Sequence, residues 1–146
     1  MGQYIAPLRD MHFVLHELLQ VESELKQLPA HAEVDVDTIN QVLEEGGKFT
    51  SKVLFPLNHP GDRESCRLDT ATHEVSTPKG FKEAYRQYVE AGWPALSCDP
   101  EFGGQGLPVV VYNSFSEMLN AANQAWYMYP GLSHGAYACL HEHGTA

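Results

Sequence analysis

Long apolar runs are missing from this sequence of 146 residues. A membrane-spanning helix needs about 18 or more consecutive apolar residues, so we expect no transmembrane segment. The first residues also lack the basic stretch followed by an apolar stretch that marks a secretory signal peptide. These absences predict a protein without a membrane span.

Basic residues are also scarce. Nine Lys and Arg residues stand against 19 Asp and Glu residues, which makes the formal net charge −10. A surface that binds nucleic acid presents clustered cations to the phosphates, whereas the few cations here are scattered along the chain. We therefore expect no nucleic-acid partner.

Cysteine occurs at only three widely spaced positions, Cys66, Cys98 and Cys139. An odd number of separated cysteines disfavours a disulfide framework and fits free thiols in a reducing cytoplasm. No two of them have the short spacing of a zinc motif. We therefore expect a cytoplasmic location.

The first half of the chain has apolar residues at helical spacing. The pattern predicts one amphipathic helix over residues 11–28, which Pro29 closes. It predicts a second helix over residues 36–57, with the carboxylate of Asp35 or Asp37 accepting main-chain N–H bonds at its start.

The second half continues the helical pattern after a polar connection. Residues 58–79 are expected to form this connection, with a short hairpin around residues 67–75. Three further helices are expected, at residues 80–91, 108–122 and 126–143, the last with Gly144 as its C-cap. The sequence therefore predicts an all-α fold.

The stretch GWPALSCDPEFGGQGLP, residues 92–108, combines four glycines and three prolines with large apolar side chains. Flexible linkers are polar and poor in aromatic residues, whereas Trp93, Leu96, Phe102 and Leu107 lie between these turns. We expect a loop that holds one conformation because its apolar side chains are anchored in the core. Its glycines match neither a dinucleotide fingerprint, which needs a preceding strand, nor a P-loop, which ends in Lys-Ser/Thr.

Histidines occur in two small groups. His12 and His16 are four residues apart and precede Glu17, and an i, i+4 pair on a helix can bind zinc. The HExxH order is absent and no third ligand is evident, so polar-face histidines are the preferred interpretation. His141 and His143 point in different directions on a helix, which suits a solvated helix end. We therefore expect no metal site.

Two motifs resemble the N-terminal helical domain of the acyl-CoA dehydrogenase family. A helix ending in Gly-Trp at residues 92–93 leads to PEFGG at 100–104 and GL at 106–107, similar to the family's PEEYGGQGL loop with Phe in place of Tyr. The next helix contains SEML at 116–119, which resembles the family's S-E-E-L helix. The final HGT at 143–145 resembles the point at which the family's domain continues.

The opening residues 4–15 resemble an extension found in a longer bacterial subgroup that includes the methylthiopropanoyl-CoA dehydrogenases. The resemblance divides the chain into an N-terminal extension helix, 1–34, and an N-terminal helical domain, 35–146. It implies a fragment of a longer chain, truncated before a middle β domain.

The resemblance implies a FAD-dependent enzyme of lipid metabolism that oxidises an acyl-CoA thioester to the trans-2-enoyl-CoA, as in fatty acid β-oxidation. In this family a glutamate removes the α proton while the β hydrogen leaves as hydride to FAD, and an electron-transfer flavoprotein then accepts the electrons. The base and most flavin contacts are expected outside this sequence, so no catalytic or cofactor-binding residue is assigned. The fragment alone is expected to be inactive, and the family implies a homo-oligomer.

The last predicted helix corresponds to one that lines the acyl pocket in this family, which implies substrate binding by Tyr127, Met128, Gly131 and Gly135. Positions i, i+1, i+4 and i+8 lie on one side of a helix. The two glycines stand where a medium-chain relative has larger residues, so we expect a deeper or wider pocket. Close helix packing at the glycines, or a kink with Pro130, is an equally open interpretation.

Two other functions stay open at this level. The chain is alternatively a stand-alone helical module without catalytic activity, which binds a partner protein through the surface that a β domain would cover. A metal-binding helical protein is the third candidate.

Overall fold

The computed structural model describes residues 2–145, and the first half of them is mostly helical. Helix α1 (Leu8–His12) runs into a π-helical segment (Phe13–Leu18), and α2 (Val21–Leu25) follows. Helix α3 (Val36–Phe49) continues through a second π-helical segment (Thr50–Leu54) into α4 (Phe55–Glu64).

The second half begins with a hairpin of two short antiparallel strands, β1 (Arg67–Leu68) and β2 (Val75–Ser76). Helix α5 (Phe81–Glu90) leads to two 3₁₀ turns (Trp93–Ala95 and Pro100–Phe102), and α6 (Val109–His143) completes the fold. The backbone of α6 is interrupted at Asn123, so it consists of two helices in sequence. The all-α fold class is confirmed.

The core lies where α3, the second π-helical segment and α4 pack against α6. Its largest fully buried side chains come from both sides of this contact and, for Leu96, from the loop after α5: Ile39, Leu43, Leu54, Leu96, Val111, Phe115, Met118, Leu119 and Trp126. Burying one large apolar side chain contributes about 1.5–3 kcal/mol, so this cluster is the main source of stability.

The predicted single helix over residues 11–28 is wrong. The chain leaves the helix after Leu18, and Gln20 has a left-handed backbone with φ of 49°. Leu15 and Val21 are both buried, although six residues on a continuous helix separate two side chains by about 120° around the axis. The break at Gln20 lets both side chains reach the core.

The predicted helix over residues 36–57 forms but extends to Glu64. Pro56 falls in the first turn of α4, where a missing N–H is tolerated, and the helix also accommodates Pro60. Asp35 is the cap, since its carboxylate accepts the main-chain N–H of Thr38 at 2.7 Å. The capping prediction is confirmed for Asp35.

The hairpin, α5 and the end of α6 lie where the sequence predicts them. The hairpin pairs Leu68 with Val75, and α5 lies within the predicted range of 80–91. Gly144 caps α6, and its N–H donates to the carbonyl of Leu140 at 2.8 Å. Within residues 2–145, none of the helices combines the length and the apolar character needed to cross a bilayer.

The segment expected to be an N-terminal extension packs on the rest of the fold. Ala6, Met11 and Leu15 are buried in the same apolar cluster as residues of α3 and α6. A β-carbon on Gly47 would lie 3.1 Å from the β-carbon of Ala6, which shows how closely the extension approaches α3. The division of the chain at residue 34 stays a prediction.

Candidate functional site

The second half of α6 begins at a buried asparagine. Asn123 has an extended backbone (φ −162°, ψ 82°), and its side-chain oxygen accepts the main-chain N–H of Trp126 at 3.0 Å. This is N-cap geometry inside a long helix. The indole N–H of Trp126 donates to the carbonyl of Phe81 at 3.1 Å, so the helix is fixed to α5 as well.

The glycine-rich loop closes on itself through main-chain hydrogen bonds. The N–H groups of Gln105, Gly106 and Leu107 donate to carbonyls of residues 95, 98 and 96 at 2.9–3.0 Å. A β-carbon on Gly104 would lie 2.0 Å from the carbonyl oxygen of Cys98, so only glycine fits there. These main-chain bonds and the close approach at Gly104 fit the predicted loop of one conformation, which stays a prediction.

The anchoring of this loop differs from the prediction at one residue. Trp93 and Leu96 are buried as expected, and Leu107 packs against the core, but Phe102 is 67% exposed. Its ring meets the imidazole of His141 edge-on, with 6.0 Å between centroids. Phe102 therefore contacts the end of α6 rather than the core. The next residue, Gly103, has a left-handed backbone with φ of 81°.

A wide cleft of about 710 Å³ lies between this loop and α6. The hydroxyl of Tyr137 accepts the main-chain N–H of Asp99 at 2.7 Å, and Nε2 of His134 lies 3.2 Å from the hydroxyl of Ser97. Nε2 of His141 lies 3.5 Å from the carboxylate of Asp99. His141, which we expected at a solvated helix end, is 40% exposed and lies beside the loop.

Tyr127 lies at the edge of the core, and its hydroxyl is held by two others. It is 2.9 Å from the hydroxyl of Tyr112 and 2.9 Å from that of Ser116, both on the first half of α6. Burial, and then the hydrogen bond with Tyr127, raise the pKa of the Tyr112 phenol above its ordinary value. The Tyr112 phenol is therefore neutral in this hydroxyl network.

The other three expected pocket residues lie on an open face of α6. Met128 is 60% exposed. A β-carbon on Gly131 would lie 3.9 Å from the Tyr127 ring, which is ordinary contact, and one on Gly135 would have no neighbour within 4 Å. We call Met128, Gly131 and Gly135 the glycine strip. At 100° per residue they lie within one arc of the helix, and Tyr127 borders that arc.

The glycines of the strip differ from those that pack helices together. A β-carbon on Gly46 would lie 2.6 Å from the Phe115 ring, and one on Gly61 would lie 2.6 Å from the Phe81 ring. Those positions need glycine for close approach, whereas Gly131 and Gly135 leave room. Among residues 2–145, the strip glycines therefore serve no helix contact. Pro130 is buried inside α6, and the interruption of the helix is at Asn123, not at Pro130.

His16, one of the two histidines near the N-terminus, serves the fold. The Nδ1 of His16 pairs with the carboxylate of Glu22, and its Nε2 lies 2.8 Å from the side-chain oxygen of Asn40. Both ring nitrogens are thus engaged, and they tie α2 and α3 together. The described part of the chain contains no group of three or more His, Cys, Asp or Glu residues that is placed to hold a metal ion.

Three residues of this region escaped the sequence reasoning: Tyr112, Ser116 and Asn123. The i, i+4 spacing of Tyr112 and Ser116 puts their hydroxyls on one helix face, which is a usable signal. Asn123 is a residue type preferred at helix starts, and it stands three residues before the expected beginning of the last helix. Spacing alone does not show that Tyr112 and Ser116 bond to Tyr127, or that Asn123 bonds to Leu54.

The chain is similar in sequence to several proteins of known function. No protein-family model matches the chain. It is 37% identical over 94% of its length to 3-methylmercaptopropionyl-CoA dehydrogenase of Ruegeria pomeroyi, of which it spans 23%. It is 33% identical over 90% of its length to the broad-specificity linear acyl-CoA dehydrogenase FadE5 of Mycobacterium tuberculosis, of which it spans 21%.

A third relative is the butyryl-CoA dehydrogenase of Syntrophomonas wolfei, 27% identical over 97% of this chain and 23% of that protein. The predicted resemblance to the acyl-CoA dehydrogenase family is confirmed. The chain spans less than a quarter of the length of these acyl-CoA dehydrogenases. The match to the Ruegeria protein covers 94% of the chain, so it includes most of residues 1–34.

Proposed function

We propose that this chain forms one wall of the acyl pocket in a FAD-dependent acyl-CoA dehydrogenase, which oxidises an acyl-CoA thioester to the trans-2-enoyl-CoA. The names of the three relatives support the reaction class, since each is a dehydrogenase of a CoA thioester. The chain supplies a shaped apolar surface to the reaction rather than its base.

The glycine strip is the observation that carries the pocket-wall proposal. Gly131 and Gly135 leave free space along α6, and the side chain of Met128 beside them is apolar and 60% exposed. The helix itself is rigidly held, because Asn123 and Trp126 bond to other elements on its buried side. A fixed helix with an open apolar strip suits the side of a channel for an alkyl chain.

The glycine-rich loop does not fit a flavin phosphate. The N–H groups of Gly103, Gly104 and Gly106 donate to carbonyls of residues 100, 99 and 98 inside the loop, at 2.9–3.0 Å. An anion-binding loop presents such N–H groups outward to the phosphate. We therefore propose that the full-length protein binds FAD and that this loop does not hold the flavin phosphates.

The wider biology follows the same proposal. An electron-transfer flavoprotein would accept the electrons, and the complete protein would be a homo-oligomer acting in fatty acid β-oxidation. Leu132 and Leu140 are 74% and 71% exposed, which provides apolar surface for further protein contacts. A cytoplasmic location is proposed because Cys66, Cys98 and Cys139 are free thiols.

Chain-length preference of the full-length protein tests the wall. Gly131→Glu places a bulky side chain in the strip. Because each buried methylene contributes about 0.8 kcal/mol, we expect the kcat/KM ratio of long-chain to short-chain acyl-CoA to fall by at least about tenfold. Ser133→Glu is the matched control, since Ser133 is exposed on α6 and two residues of rotation turn it away from Gly131.

Two results count against the proposal. An unchanged chain-length preference in Gly131→Glu would overturn the wall while leaving the reaction intact. A full-length protein that binds FAD yet oxidises no acyl-CoA thioester with an artificial electron acceptor would overturn the reaction itself. The alternative of a non-catalytic interaction module, which the exposed Leu132 and Leu140 favour, would then take its place.

A further inference from the structure

We propose that Tyr112 and Ser116 are positioning residues that hold the Tyr127 ring at the border of the glycine strip, and thereby limit how far an acyl chain extends along α6. The inference rests on the proposed pocket wall and adds the device that sets its limit. Neither residue belongs to the strip itself.

The hydroxyl of Tyr127 is fully engaged by this pair. A phenolic hydroxyl has one donor and can also accept, so Tyr127 can donate to one neighbour and accept from the other. Both distances are 2.9 Å, which is within the range of a good O–H···O bond. Two bonds from residues one helical turn apart fix the ring in direction as well as in position.

Tyr112 is itself held from the other side. Its ring stacks on the imidazole of His134, with 4.4 Å between centroids and 11° between planes. Nε2 of His134 lies 3.2 Å from the hydroxyl of Ser97 in the glycine-rich loop. The position of Tyr127 therefore depends on both halves of α6 and on the loop.

The Tyr127 ring is placed to close one end of the strip. Its Cε1 and Cζ atoms lie 3.9 Å from the β-carbon position of Gly131, whereas the β-carbon position of Gly135 is open. Free space thus begins at Gly131 and continues toward Gly135. A ring released from its two hydroxyl bonds would no longer be held at this border, and the limit that it sets would relax.

The test uses the full-length enzyme with short-, medium- and long-chain saturated acyl-CoA thioesters. In the double variant Tyr112→Phe/Ser116→Ala, we expect the long-to-short kcat/KM ratio to rise about three- to tenfold, the range that the loss of such hydrogen bonds permits, mainly through KM for the long chain. The single variant Ser116→Thr keeps both hydroxyls and should retain the parent ratio. Tyr137→Phe is the control, because it removes a hydroxyl bond on another face of the same helix.

Comparison with Gly131→Glu separates the two proposals. If Gly131→Glu shifts chain-length preference and the double variant does not, the positioning role is overturned and the wall stands. If neither shifts it, both are overturned. An equal shift in Tyr137→Phe would show general loosening of α6 and would also overturn the positioning role. Should the double variant fail to fold, Tyr127→Phe removes the same two bonds while it keeps the ring, and the same ratio decides.

Discussion

The side-chain amide of Asn123 donates to the main-chain carbonyl of Leu54 at 3.2 Å, across 69 positions of the chain. Asn123 is 1% exposed, and its side-chain oxygen caps the second half of α6 by accepting the main-chain N–H of Trp126. One residue thus ends one helix, starts the next and ties both to the π-helical segment before α4. The direction of the helix that carries the glycine strip depends on this contact.

Asn123→Ala is expected to destabilise the protein by about 2–4 kcal/mol, since it removes a helix cap and leaves the Leu54 carbonyl buried without this donor. Urea unfolding followed by circular dichroism measures the change. Asn120→Ala is the control: Asn120 is exposed on the same helix and bonds only to the carbonyl of Ser116 among the described contacts, so a change within about 0.5 kcal/mol is expected. Equal losses in the two variants would contradict the bridging role.

Two neighbouring glycines of the loop should respond differently to alanine. Gly104→Ala puts a β-carbon 2.0 Å from the Cys98 carbonyl oxygen, and the loop must open, at a cost above about 3 kcal/mol. In Gly103→Ala the new β-carbon has no atom within 4 Å, so the only cost is that of alanine at a φ of 81°, about 1–2 kcal/mol. Unfolding free energies of the two variants check this order, and a larger loss for Gly103→Ala would refute the assigned loop geometry.

Helical glycines provide a prediction with opposite signs. Gly46→Ala is expected to destabilise by about 1–3 kcal/mol, because its β-carbon would lie 2.6 Å from the fully buried Phe115 ring. Gly135→Ala should stabilise by about 0.5–1 kcal/mol, since alanine restricts the unfolded chain and meets no neighbour in the fold. Thermal and urea unfolding measure both signs. A destabilising Gly135→Ala would mean that the strip is already covered in the protein.

The carboxylate of Glu83 should make stability depend on acid pH. Hydrogen bonds first from Arg86 and then from Gln87 lower the pKa of Glu83 from 4.5 to about 2. A lowered pKa in the fold means that the contribution is complete above pH 4.5 and disappears as the pH falls toward 2. Glu83→Gln should therefore lower the melting temperature slightly at neutral pH, with the difference vanishing near pH 2.

The size of that effect is limited because both partners are exposed and water screens them. Added salt should reduce the difference at neutral pH further. Glu74→Gln, on the exposed hairpin, is the control, since Arg86 bonds to Glu83 and Glu90 instead, and it should change the melting temperature less at neutral pH. A Glu83→Gln difference that persists unchanged at pH 2 would contradict the lowered pKa.

Local patterns were sufficient for most helices, because apolar periodicity and capping residues act over a few neighbours. Asp35 and Gly144 lie at helix ends as expected. The same reasoning failed at Gln20, where periodicity continues across a left-handed residue. It also placed Phe102 in the core, since composition alone does not tell which side of a turn a ring will take.

For the candidate site, spacing placed Tyr127, Gly131 and Gly135 on one side of a helix. It did not show which of these residues are buried and which border open space. The three-dimensional arrangement turns the Tyr127 hydroxyl inward to Tyr112 and Ser116 and leaves the glycines bordering free space. A glycine allows close helix packing when a side chain of another element lies against it, and it borders open space when none does.

The amino-acid sequence by itself determined the helical class, the position of the glycine-rich loop and the family resemblance, because periodicity, turn chemistry and motifs are properties of adjacent residues. Only the tertiary structure decided that Asn123 joins α6 to Leu54, that Tyr127 is held by two hydroxyls, and that the strip glycines are open. Each of those outcomes is a contact between side chains that separate turns or elements bring together, and such contacts follow from the packing of the whole core.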